Sequence, residues 1–207
     1  MSSKPALISL ALLALFGLLL GGFGGVKLVQ SLGERGRRMI DPQEIARAVS
    51  TFPFSTQSLG KPYLATASKN ATLCLFENKD VGQQSLLFRE VLLLSGGKAA
   101  GSQSDDSKES AGDLLLDIFS DNFIVGSAKD LNMGRLSTVK SRDSFAVGNA
   151  KCRYKLVTIR GADDKDYEGF IGSMVGSKHR YILQTTVPAG KTVDLEALRR
   201  IFPENLE

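Results

Sequence analysis

From Pro5 to Val26 the chain carries no charged side chain. As a helix rising about 1.5 Å per residue, this run would reach about 33 Å, against the roughly 30 Å hydrocarbon thickness of a bilayer. Leu, Ala, Ile and Phe dominate its first part, and Lys27 closes it. The run therefore predicts one transmembrane helix, with residues 1–26 as a membrane anchor and the protein as a single-pass membrane protein. A cleaved signal peptide is the alternative, because Lys4 supplies a charged start and the stretch Gly21-Gly22-Phe23-Gly24-Gly25 supplies small residues. The apolar stretch is longer than a signal needs and lacks a clear Ala-x-Ala site, so a secreted or periplasmic domain stands as the second reading.

Gly17, Gly21 and Gly25 recur every four residues and share one face of such a helix. Small residues at that spacing let two backbones approach closely, so these glycines are the candidates for helix pairing and a homodimer. Lys27, Arg35, Arg37 and Arg38 follow the run, while Lys4 alone precedes it. The positive-inside rule then places the soluble domain in the cytoplasm. With Glu34 set against them, the same residues account for the net charge of the whole chain, +4. Residues 27–40 read as a basic tether, and residues 41–207 are neutral in sum. A neutral domain has no long-range field to draw it onto a polyphosphate, which disfavours nucleic acid as a partner.

Asp41-Pro42-Gln43-Glu44 reads as an N-cap, a proline at the first helical position and a capping-box acid. Ile45, Ala48 and Val49 fall on one face of the helix it starts, and Pro53 ends it. Alternation predicts strands at 62–68, 71–77, 84–94 and 123–126. Further strands are expected at 135–140, 143–148, 150–160, 166–175 and 179–187. Residues 95–112 are small, polar or charged throughout and predict a flexible surface loop. A short helix over 113–119 and a closing helix over 193–202, capped by Thr192, complete the outline. The expected fold class is α+β: a mostly antiparallel sheet with two or three helices against one face, including a C-terminal one.

Templates for chemistry fail one after another. His179 is the single histidine, and it sits between Lys178 and Arg180 with no ordering acid in the local pattern. Cys74 and Cys152 are too few for a disulfide framework, and they stand as either one bridge or two buried thiols. Neither cysteine has a second one at zinc-ligand spacing. The acids cluster at Asp105-Asp106, Asp117/Asp121 and Asp163-Asp164-Asp166, and the last of these lacks the spacing of a calcium loop. Ser95-Gly96-Gly97-Lys98 lacks the phosphate-loop spacing. The sequence thus points to no catalytic residue, metal or cofactor.

One charge pattern stands out. Lys151, Arg153 and Lys155 alternate along an expected strand, so they share one face while Cys152, Tyr154 and Leu156 share the other. These three are the candidates for contact with anionic lipid or an acidic protein. The functional expectation is a membrane-anchored binding or assembly module. An enzyme whose carboxylates meet in a cleft is the reading from the other class.

Overall fold

The computed structural model describes residues 40–69, 71–92, 121–148 and 150–202. Its centre is one eight-stranded sheet in the order β1-β2-β3-β8-β7-β6-β5-β4. The strands are β1 Lys61–Ala67, β2 Ala71–Asn78, β3 Gln83–Val91, β4 Asn122–Val125, β5 Asn132–Val147, β6 Ala150–Gly161, β7 Asp166–Val175 and β8 His179–Pro188. Every neighbouring pair is antiparallel. Two meanders, β1 to β3 and β4 to β8, are thus joined where β3 pairs with β8.

Helix α1, Pro42–Val49, forms where its cap chemistry predicts. Asp41 accepts the Gln43 backbone N–H at 2.8 Å, which satisfies one orphan donor of the first turn. Glu44 does not reach back to complete a capping box; it takes Arg47 at 2.9 Å instead. The closing helix α2 is only Leu195–Arg199, because Asp194 rather than Thr192 caps it, accepting the Ala197 N–H at 2.9 Å. Ile201 and Phe202 beyond it are buried all the same.

The sheet separates two cores, as the period-2 alternation of strands requires. On the outer face, Cys74, Phe76, Leu87, Cys152, Tyr154, Phe170, Tyr181 and Leu183 pack under α1, Phe52, Phe54 and α2. On the inner face, Leu73, Leu75, Leu86, Phe88, Val157, Ile159, Ile171 and Ile182 pack against Phe123 and Val125 of β4. The sheet curls into a half-barrel, and β4 comes back over β8. Gln184 Nε2 donates to the Asn122 carbonyl at 3.0 Å, and Thr186 Oγ1 donates to the Ile124 carbonyl at 2.7 Å. Glu77 Oε1 accepts the Ala128 N–H at 2.9 Å just beyond. Side chains from the centre of the sheet thereby bind the backbone of an edge strand.

Three expectations need correction. The α+β class gives way to a mostly antiparallel β fold. Among the described residues, helix is confined to α1 with eight residues, α2 with five and one turn of 3₁₀ helix at Gln57–Leu59. The described helices are too short to form a layer of their own, and the inner face is closed by the sheet's own curl and β4. The two strands expected at 135–140 and 143–148 are a single strand of 16 residues. Register shifts between Leu136 and Thr138 and between Val139 and Ser141 mark bulges, which absorb the polar break without ending the strand.

The third correction concerns the membrane. Among the described residues no helix is long and apolar enough to cross a membrane. Even α1, with eight residues, would reach only about 12 Å as a helix. The structure therefore does not support a single-pass transmembrane protein. The apolar run at 5–26 with Gly17, Gly21 and Gly25, the tether at 27–39, the loop at 95–112 and the helix expected at 113–119 lie outside the described residues.

Candidate functional site

The candidate site is the inner flank of the β5–β6 hairpin. Gly148, at φ 54°, takes the left-handed conformation that the turn demands, and Val147 pairs with Ala150 across it. The register then sets Arg142 opposite Lys155, Ser144 opposite Arg153 and Ala146 opposite Lys151. Directly opposed residues of an antiparallel pair point to the same face. Arg142, Lys151, Arg153 and Lys155 therefore share the inner face, the side of Val157 and Ile159.

Their exposure is graded. Lys151 and Arg142 are exposed, Arg153 is half-buried, and Lys155 is 3% exposed. A cation as deep as Lys155 is tolerated only when paired or hydrogen-bonded. Both Lys155 and Arg153 are engaged within the fold. The alternation expected from sequence is present, with Cys152 and Tyr154 buried on the outer face and Leu156 packed against that cluster. The basic side is nonetheless no uniform solvated stripe.

Other cations nearby are neutralised. Lys140 meets Glu168 at 2.6 Å, and Arg160 meets Asp166 at 2.9 Å and Asp164 at 3.6 Å. Arg199 lies over the Phe145 ring at 5.3 Å. Among the described residues, no ion pair engages Arg142 or Lys151. Arg142 was missed by sequence reading, because only the register of β5 on β6 brings it beside Lys155.

The edge of β5 adds a backbone feature. Strand β4 pairs with Asn132–Arg135 only, so from 136 to 147 the strand has a neighbour on one side alone among the described residues. Asp143 Oδ1 accepts the Ser144 backbone N–H at 2.7 Å, and Asp143 Oδ2 lies 3.5 Å from the Tyr154 hydroxyl. A side-chain carboxylate thus takes the place of a neighbouring strand's carbonyl.

The remaining candidates do not converge. His179 opens β8 with its ring 6.0 Å from that of Tyr181. Burial lowers its pKa, and the charges of Arg89 and Lys178 lower it further. Cys74 and Cys152 are buried free thiols, each pushed up to about 12 by burial. They stand on β2 and β6, four strand spacings apart in the sheet order, or about 19 Å along the sheet. A disulfide needs Cα atoms within about 7 Å, so these two cannot bridge. Asp163, Asp164 and Asp166 serve the β6–β7 turn. Asp163 accepts the Tyr167 hydroxyl at 3.0 Å and meets Lys165 at 3.4 Å, while the other two face Arg160. Among the described residues no three metal-ligating side chains come together.

No protein-family model matches the chain, and no curated protein is detectably similar to it in sequence.

Proposed function

We propose that this domain is a binding module that takes an acidic protein partner on the inner flank of the β5–β6 hairpin. The observation that carries this reading is the grouping of Arg142 and Lys151, exposed and outside any ion pair among the described residues, around the half-buried Arg153. A carboxylate arriving here gains charge-assisted contacts while the neighbouring cations remain tied to their own acids.

Protein is favoured over nucleic acid on two grounds. The residues facing inward with the cations are Ser144 and Ala146, so no aromatic ring is interleaved for base stacking. The net neutrality of residues 41–207 removes the long-range attraction that a polyphosphate exploits. A second copy of this chain is disfavoured at this surface, because like charges would be set against each other.

The test is titration of the full chain with a synthetic poly-glutamate peptide at several salt concentrations. The double variant Arg142→Glu with Lys151→Glu should weaken binding by at least about tenfold and flatten its salt dependence. Unchanged affinity in that variant, or tighter binding of a single-stranded oligonucleotide than of the peptide, would overturn the reading.

A further inference from the structure

We infer that the acidic partner binds by adding a strand to β5 at Arg142–Val147, along the edge that is unpaired among the described residues. This inference rests on the binding reading above and names its mode. The sheet has two edges, and they are unequal. At the β1 edge, Pro62 lacks an N–H, a bulge separates Pro62 from Leu64, and α1 packs against the strand. Along β5, β4 covers Asn132–Arg135 and the two bulges occupy the stretch from Leu136 to Ser141. From Arg142 to Val147 the pairing with β6 is continuous. Among the described residues that leaves a regular edge of about 20 Å.

The direction of the backbone groups follows from the turn. A two-residue hairpin is closed by a hydrogen-bonded pair, here Val147 and Ala150. Alternation then turns the N–H groups of Asp143, Phe145 and Val147 toward β6 and those of Arg142, Ser144 and Ala146 outward. The bond from the Ser144 N–H to Asp143 Oδ1 agrees with this assignment. The Arg142 and Ala146 N–H groups can donate to the carbonyls of an incoming antiparallel strand, and that of Ser144 can do so once it exchanges Asp143 Oδ1 for the newcomer. That strand would carry its acids on the inner side, facing Arg142 and Lys151, and its small apolar residues on the outer side, beside the half-buried Phe145. The fitting partner is therefore an extended segment of another protein in which acidic and apolar residues alternate.

The experiment uses the full chain and a capped synthetic peptide of alternating Glu and Val. At saturation, exchange of the Arg142, Ser144 and Ala146 amides should slow by at least about tenfold. Ala146→Pro deletes an outward N–H that the ladder does not use, and should weaken the peptide about tenfold without changing charge. Methylating alternate backbone nitrogens of the peptide gives the same readout with the protein untouched. Asp143→Ala frees the Ser144 amide and removes a repelling carboxylate, so it should tighten binding. Salt-sensitive binding that ignores both Ala146→Pro and peptide methylation, with no amide protection, would overturn strand addition and leave the binding reading standing. Slow exchange of the Arg142 and Ala146 amides before any peptide is added would mean that the chain fills its own edge, which overturns the inference. Failure of every acidic peptide to bind would remove both.

Discussion

At the scale of single residues, environment decides reactivity. Cys74 and Cys152 sit in the outer-face core with their thiols pushed up to about 12, so almost no thiolate exists at neutral pH. Both should resist a thiol reagent in the native protein and react once it is unfolded in denaturant; prompt labelling of either without denaturant would contradict their burial. His179 gives a pH signature with a definite sign. Its folded pKa is lowered from 6.5, so the unfolded chain binds the proton more readily. Stability is full above pH 6.5 and is lost as pH falls below it toward the lowered folded value. Urea midpoints measured from pH 7.5 to 5 should therefore drop more steeply for the native protein than for His179→Asn. Parallel curves would remove the histidine as the cause.

At the scale of elements, the half-barrel depends on a short strand held by side chains. Strand β4 pairs with β5 over Asn122–Val125, and Gln184 and Thr186 bind its carbonyls from the other side. Thr186 is 2% exposed, so Thr186→Val keeps the shape and leaves the Ile124 carbonyl without that donor. The expected loss is about 1–3 kcal/mol in denaturant unfolding, with the β4 amides opening first by hydrogen exchange. An unchanged midpoint would show that solvent or a neighbour replaces the bond at no cost. The cap of α1 is a smaller, independent device. Asp41→Ala should cost about 1 kcal/mol, read from the same unfolding curves.

At the scale of the whole molecule, the sheet is covered on both faces by different means, helices and loops outside and its own curl inside. Its central pairing joins β3 to β8, with Ser85 opposite Thr185, so closure brings together residues far apart in sequence. A topology dominated by such pairings folds slowly, and refolding in stopped-flow dilution should fall in the millisecond-to-second range. Microsecond refolding would mean that the meanders fold without the β3–β8 seam. The β5–β6 hairpin lies near the end of the sheet. Strands nearer the centre spend both edges on neighbours, whereas β5 beyond Arg135 has one edge left among the described residues.

Local chemistry by itself determined a good deal. Asp41 and Pro42 announced α1, and alternation placed β1, β2, β7 and β8 within a residue or two. These signals act between near neighbours in the chain, through caps, φ preferences and the two-residue period of a strand. Only the tertiary structure decided the rest. That β5 runs unbroken through two bulges depends on β6 lying beside it, which no residue of β5 encodes alone. That Lys155 is buried while Lys151 is exposed, four residues apart on the same face of β6, is a property of the folded sheet and not of the alternation that places both. The grouping of Arg142 with Lys151, Arg153 and Lys155 and the edge beside them, unpaired among the described residues, are products of register and strand order. Those are set by the packing of distant segments, so they could not be read from spacing along the chain.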